Sequence, residues 1–263
     1  MNKITVCVLT YGDHLPLIKR CLESLRLAGD PTQVVESIRL GLNGVTDPVR
    51  TFVHDWAKAQ PCPSIVYEPV GNTLKYPTMR KMFYDSAHPL DEYVMWWDDD
   101  SYIAYETPTF WPRCLEQISA ADMVGQVWRM RMQGSQWLWV RSQPWCDKSL
   151  RSPVYMEFCQ GAWWIARTAK LRSVNWPVPE LRHNGGDSML GEVARHNAWR
   201  ISKWHPESVR INADEHGKHS ASVRRGRTEP GVGFNYKGKP LGTEHQEFEI
   251  KKTVYGWNNA TRG

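Results

Sequence analysis

Four short apolar runs constrain this chain more than anything else in it: Lys3–Thr10, Ser37–Leu42, Ser64–Tyr67 and Tyr93–Trp97. The first is nearly continuous, the pattern of a strand buried on both faces. Between the runs the apolar residues switch to helical spacing. Leu15, Ile18, Cys21, Leu22 and Leu25 mark one helix face, and Val49, Phe52, Val53 and Trp56 mark a second. Asn43-Gly44-Val45-Thr46-Asp47-Pro48 reads as a turn ending in an N-cap Asp with Pro at the first helical position. Thr78–Ala87 continues the alternation as a third helix. Strands separated by helices in this way predict an α/β domain, a mostly parallel sheet flanked by helices.

Beyond residue 105 the pattern loosens. Val127–Val140 reads as a hairpin turning at Gly134-Ser135, and Gly161–Ala166 as a buried strand leading to a short helix from Thr168. Asp187–His196 is helix-patterned, and Arg200–Lys203 and Ser208–Asn212 are short strands. Residues 213–243 lack periodicity and read as a long loop or lid. Without repeats or a linker, the expectation is one compact domain: a donor-binding half over 1–105, an acceptor-binding half over 106–212, and a C-terminal flap or tail over 213–263.

The six Cys form no CxxC pair, and Cys7 and Cys21 fall on apolar patterns, so buried thiols in a reducing cytoplasm are expected. The opening MNKITVCVLTYGD lacks a signal-peptide cleavage site, and no stretch approaches the roughly 20 apolar residues of a membrane span. A soluble, cytoplasmic protein without a membrane span follows as the expectation.

Charge divides the chain. Residues 1–127 hold 11 Lys and Arg against 16 Asp and Glu, whereas 128–182 hold 9 against 3. The basic segment includes Arg129, Arg131, Arg141, Lys148 and Arg151. Trp137, Trp139 and Trp145 are interleaved with them, among 14 Trp in all. Aromatic faces beside arginines suit either nucleic acid, through phosphates and unstacked bases, or a saccharide groove.

The densest chemical feature is Asp98-Asp99-Asp100, which follows the strand YVMWW. Carboxylates so close repel unless a cation compensates them, and Mg²⁺ or Mn²⁺ accepts oxygen ligands of this kind. Such an ion also binds phosphates, so a D-x-D element suits a diphosphate leaving group; a solvated acidic turn is the alternative. A metal-dependent nuclease or phosphatase would add His and Asp at several strand ends, which the first hundred residues do not show. A non-catalytic binding module requires the D-x-D to be decorative.

In this order the segments resemble the GT-A fold glycosyltransferases, in particular the family-two group of nucleotide-sugar enzymes. ITVCVLTYGDHLPLIKRCLESL is similar to that family's first strand, nucleotide loop and first helix. LNGVTD is similar to the turn after its second strand, with Leu42 where an aspartate is usual. NTLKYPTMRKMFYDSA resembles its N-x-G…A-R-N segment, keeping Asn72 and Arg80 and placing Lys81 at the usual Asn. VMWWDDD, GAWWIAR and NGGDSMLGEVARHNAWRI are similar to its D-x-D strand and its acceptor-side segment.

The resemblance implies roles. Thr10, Tyr11 and Asp13, with Asn43 nearby, would line the nucleoside pocket. Lys75 and Arg80 would face the nucleotide or its phosphates. Asp98 and Asp100 would hold the ribose and the metal–diphosphate, with Asp99 also contacting the donor, and Asp187 would be the general base if the reaction inverts at the anomeric carbon, with a helix N-cap as its structural alternative. His216 would complete the metal shell, with His219 the weaker choice. Trp163 and Trp164 share one strand and point to opposite faces, so at most one of them would face the donor sugar, and Trp163 is taken as that one. The function so implied is metal-dependent transfer from a nucleotide-sugar, a UDP-sugar, to a hydroxyl. The acceptor is either a 5-hydroxymethylated pyrimidine in phage-type DNA, with Arg129, Arg131, Trp137, Trp139, Arg224 and Arg225 (and Arg227) contacting it, or a saccharide.

Overall fold

The computed structural model describes residues 3–104, 108–131, 140–141, 143–151, 155–179, 181, 186–211, 233–234 and 240–241. Its frame is β1 (Ile4–Gly12), α1 (Leu15–Leu27), β2 (Val35–Val45), α2 (Asp47–Lys58), β3 (Ser64–Tyr67), α3 (Lys75–Phe83) and β4 (Tyr93–Asp98). Then follow β5 (Tyr102–Ile103), α4 (Phe110–Ser119), β6 (Met123–Arg131), β7 (Tyr155–Arg167), α5 (Thr168–Ser173), α6 (Gly186–His196), β8 (Ile201–Lys203) and β9 (Val209–Arg210).

A seven-stranded sheet has the order β3-β2-β1-β4-β7-β6-β8. Strands β3, β2, β1 and β4 are parallel, β7 runs antiparallel between β4 and β6, and β6 and β8 return to the parallel sense. The expected mostly parallel α/β architecture is therefore the observed one. The period-two rule of a strand explains why the first apolar run is continuous. Ile4, Val6 and Val8 enter one core with α1, α2 and α4, while Cys7 and Leu9 enter a second core with α3 and α6.

Two tryptophan pairs bind β4 to β7, one on each face. Trp97 pairs with Trp163 and Trp96 with Trp164, their ring centroids 5.6 and 6.5 Å apart. Such pairs contribute about 0.5–1.5 kcal/mol each beyond their buried area. Trp163 and Trp164 do point to opposite faces, but β7 is an interior strand covered on both. Trp163 is 0% exposed and packs on Trp97 and Trp204, so it is core and does not line a donor site. The physical reason is its place in β7, where Trp97 and Trp204 cover the ring and leave it no solvent face.

Other expectations shift. The N-cap of α2 is Thr46, and Asp47 lies inside the first turn paired with Arg50. The third helix starts at Lys75, three residues earlier than predicted. Helix α4 was not expected, although Phe110, Trp111, Cys114 and Ile118 form its buried face at helical spacing. Of the expected hairpin over 127–140, residues 127–131 pair with β7 and Val140 is helical, while 132–139, with the turn at Gly134-Ser135, lie outside the described residues. Within the expected loop 213–243, Gly233–Phe234 and Pro240–Leu241 pair as short antiparallel strands.

Arg39 of β2 anchors the site-bearing helix α3. It is fully buried, and its guanidinium donates to the carbonyls of Met82, His88 and Pro89. A cation suits the end of a helix, where carbonyl groups lack backbone partners. The Cys7 thiol behind it is pushed up to about 12 by burial, with Arg39 opposing, which keeps it an unreactive thiol.

Candidate active site

The parallel strands β1, β2 and β4 end at one edge, and the sequence places polar residues at each end. Leu9 pairs with Asp98 and Tyr11 with Asn43 in the ladder, so Thr10–Asp13, Asn43 and Asp98–Asp100 come together. This is the edge where open α/β sheets bind ligands. Helices α3 and α6 bring their N-termini to the same place. A Cβ on Gly186 would stand 2.1 Å from the Tyr76 hydroxyl, so only glycine lets the two helix starts approach this closely.

The three aspartates do different things. Asp98 is partly exposed: Oδ2 accepts from Lys75 Nζ at 2.7 Å and Oδ1 accepts from Trp96 Nε1 at 3.0 Å. Asp99 turns inward, fully buried, and accepts from the Thr10 hydroxyl at 2.7 Å, with His14 Nδ1 3.5 Å away. That placement differs from a donor-contacting role for Asp99, because its carboxylate ties the D-x-D turn back onto β1. Asp100 is 1% exposed and also lies at the turn. Tyr11 packs edge-on against His14 with centroids 4.4 Å apart. The carbonyl of Asp13 accepts from the Leu15 N–H, leading the chain into α1.

Lys75 bridges two strands. Besides Asp98 it donates to the carbonyl of Gly161 on β7 at 2.8 Å. Gly161 faces the other candidate carboxylate, for a Cβ there would lie 3.2 Å from Asp187 Cβ and 3.6 Å from Asp187 Oδ2. Asp98, Lys75, the Gly161 carbonyl and Asp187 thus form one chain of neighbours. Asp187 lies in the first turn of α6, and its Oδ1 accepts from the Ser188 N–H at 2.8 Å.

Asn43 serves the backbone. Its Oδ1 accepts from the Thr73 N–H at 2.7 Å and its Nδ2 donates to Asn72 Oδ1 at 2.9 Å. Next to this pair Leu74 adopts φ 72 and ψ 172. That region is essentially reserved for glycine and costs a larger residue about 1–3 kcal/mol. Leu74 occupies the third position of the N-x-G element, and it keeps a glycine backbone without being glycine.

Arg80 lies elsewhere than expected. Its guanidinium donates to the Asn175 and Pro177 carbonyls and to Asn175 Oδ1, and it stacks over Tyr84. With those donors engaged, Arg80 ties α3 to the turn after α5 instead of facing a phosphate.

Farther along the sheet, Arg129 pairs with Glu157 across β6 and β7, and Arg131 sits in β6 opposite Tyr155. Arg141, Lys148 and Arg151 are exposed. Trp128 and Tyr155, which were not singled out from sequence, are 53% and 61% exposed on the same two strands. Trp137, Trp139, Arg224, Arg225, Arg227, His216 and His219 lie outside the described residues. Among the described residues no group of three or more His, Cys, Asp or Glu could hold a metal ion by itself. A cavity of about 300 Å³, lined by Val6, Leu25, Ile38, Trp56 and Trp111, belongs to the opposite edge of the sheet and not to this site.

Known structures share this fold. The chain is similar to a mannosyltransferase from Pyrobaculum calidifontis solved with GDP-Man and Mn²⁺, with 16% identity and a TM-score of 0.53 over 77% of this chain and 54% of that one. It is also similar to S. aureus TarS 1–349 with UDP-GlcNAc, with 16% identity and a TM-score of 0.51 over 85% of this chain and 64% of that one. A third is GalNAc-T7 with UDP, GalNAc and Mn²⁺, with 9% identity and a TM-score of 0.56 over 76% and 41%. The chain has the GT-A fold of nucleotide-sugar glycosyltransferases. This GT-A chain spans less than two thirds of each of these matched structures. No family model and no curated protein matches the sequence. The carboxylates, Lys75 and Asp187 sit at the C-terminal edge of the parallel strands β1, β2 and β4. Among the described residues no helix is long and apolar enough to cross a membrane.

Proposed function

We propose that this protein is a divalent-metal-dependent glycosyltransferase that moves a sugar from a nucleotide-sugar, a UDP-sugar, to a hydroxyl acceptor. The observation that carries the reading is the run Asp98–Lys75–Gly161–Asp187, which links a carboxylate on the donor strands to one on the acceptor side. The ligands of the matched structures, GDP-Man, UDP-GlcNAc and UDP with GalNAc, support the donor class.

Asp98 and Asp100 suit Mn²⁺ or Mg²⁺. Both offer hard oxygen, and such ions are commonly held by one or two carboxylates together with substrate phosphates. A third protein ligand is therefore not required, although His216 is the residue assigned to that place. When bound, the ion stabilises charge on the departing diphosphate. Lys75 neutralises Asp98 before a donor arrives and adds positive charge beside the phosphates afterwards. Asp187 accepts the proton of the acceptor hydroxyl as its oxygen attacks the anomeric carbon. In the same step the bond from that carbon to the diphosphate oxygen breaks, and the nucleoside diphosphate leaves with its electron pair. A base on the face opposite the leaving group gives inversion.

For the acceptor we propose a 5-hydroxymethylated pyrimidine in DNA, which would place the reaction in the cytoplasm. Exposed Arg141, Lys148 and Arg151 favour a polyanion. Pairing of Arg129 with Glu157 and the exposed Trp128 and Tyr155 favour the second reading, a saccharide. Labelled nucleotide-sugars with Mn²⁺ test both readings. Transfer to hydroxymethylcytosine DNA but not to unmodified DNA, with binding that weakens steeply as salt rises, is the expected result. Transfer to oligosaccharide alone returns the acceptor to the second reading. Absence of both transfer and donor hydrolysis overturns the enzyme.

A further inference from the structure

We infer that Asn43 and Asn72 are positioning residues, which clamp Leu74 in a glycine-type backbone conformation and thereby set Lys75 between Asp98 and Gly161. The role given to Lys75 rests on the proposed function; the clamp itself rests on geometry alone.

Leu74 is held from both sides. Its N–H donates to Asn72 Oδ1 at 2.9 Å, and its carbonyl accepts from the Thr78 hydroxyl at 3.0 Å. Asn72 Oδ1 also takes the Asn43 amide, while Asn43 Oδ1 takes the Thr73 N–H. The amide orientations follow from this, since flipping Asn72 would set its NH₂ against two donors. The Thr73 and Thr78 hydroxyls lie 2.8 Å apart and close the ring. Behind the clamp a Cβ on Gly44 would stand 2.9 Å from the Asn72 nitrogen, so β2 abuts the segment backbone to backbone. The Leu74 side chain is 9% exposed, which anchors it from the core side.

Such a conformation persists in a residue with a Cβ only where its surroundings over-determine it. Removing the clamp lets φ return to negative values, which redirects the chain at the junction with α3. Lys75 is the next residue. Its ammonium meets groups on two different strands, 2.7 Å from Asp98 Oδ2 and 2.8 Å from the Gly161 carbonyl. A turn of the backbone one residue upstream cannot preserve both bonds. The side chain thus owes its place to Asn43, which belongs to a third strand, β2.

The clamp makes a prediction that simple structural support does not. In a Leu74→Gly background the conformation needs no clamp, because glycine populates positive φ freely. Lys75 acylation by an amine-reactive ester, read by peptide mass mapping, reports whether the ammonium is held. We expect slow labelling in the wild-type protein and in Leu74→Gly. Asn43→Ala should label about tenfold faster. The double variant should label close to Leu74→Gly. Thr78→Val, which removes the hydroxyl on the Leu74 carbonyl, replaces Asn43→Ala should that variant fail to fold. Unchanged labelling in the clamp variant, or an equal increase in both backgrounds, overturns the proposal. Donor turnover measured on the same proteins separates the two readings. Labelling as expected without any sugar transfer by wild type overturns the enzyme and leaves the clamp standing.

Discussion

Gly161 and Asp187 touch across the boundary between β7 and α6, so closely that a methyl group on Gly161 would reach within 3.2 Å of the Asp187 β-carbon. The strand backbone is the wall against which this carboxylate rests. The same glycine offers its carbonyl to Lys75, so one residue without a side chain joins both charged groups.

From that contact follows a pair of variants. Asp187→Asn should lower turnover by roughly 10²–10⁴-fold, the usual contribution of a general base, with little change in donor affinity. Gly161→Ala should displace the carboxylate by a few tenths of an ångström and lower turnover less, again without weakening the donor. Initial rates and nucleotide-sugar titrations measure both. An Asp187→Asn protein that keeps its turnover and loses donor affinity would mark Asp187 as a structural cap.

Metal dependence is read at Asp100. Asp100→Asn should cut turnover by about 100-fold or more while the melting temperature changes little in the absence of donor. Excess EDTA should abolish transfer in the wild type, and Mn²⁺ should restore it. Full activity in EDTA would be incompatible with the proposed chemistry.

Gly191 offers a test of packing separate from catalysis. Alanine is the better helix former by about 1 kcal/mol. Here, however, its Cβ would stand 2.4 Å from the Glu157 carbonyl oxygen and 2.5 Å from Phe158 Cβ. Backbone cannot yield cheaply, so Gly191→Ala should destabilise the protein by about 1–3 kcal/mol. Chemical denaturation decides the sign.

Acid should loosen the segment 143–151. His196 Nδ1 accepts the Asp147 N–H at 2.9 Å, which requires that nitrogen to be unprotonated. Burial, then Arg195, lower the His196 pKa below 6.5, while Glu192 and Asp147 pull it upward. The unfolded chain therefore binds the proton more readily. The stability this gives is complete above pH 6.5 and is lost as pH falls through the lower folded value. Thermal melts between pH 8 and 5 should show a slope in the wild type that is reduced in His196→Gln. Equal slopes would remove His196 from the account.

Much of the first hundred residues was legible because its signals are local. The runs that became β1 to β4 alternate with helix-spaced residues, and Asp98 needed only to follow a strand. Long-range pairing was not legible. Val127–Arg131 pairs with Tyr155–Cys159 of β7, a partner that no short window contains, so the sequence suggested a hairpin local to 127–140. Arg80 drew attention by its charge, yet its partners are carbonyls of a turn 95 to 97 residues away. Leu74 hid for another reason: leucine argues against positive φ, and only the network around Asn43 and Asn72 reverses that preference. The inward turn of Asp99 depended on Thr10, whose hydroxyl gave no sign of its target.

Trp96 is bonded through its indole N–H to the same Asp98 that holds Lys75. Its ring is buried and stacked on Trp164, so solvent does not quench or shift it independently. Whatever engages Asp98 changes the charge felt by this one donor, and with it the energy of the indole's excited state. The protein accordingly carries its own optical reporter: of any change in tryptophan emission on adding Mg²⁺ and a nucleoside diphosphate, the part that Trp96→Phe removes would register occupancy of the carboxylate, with no label and no turnover.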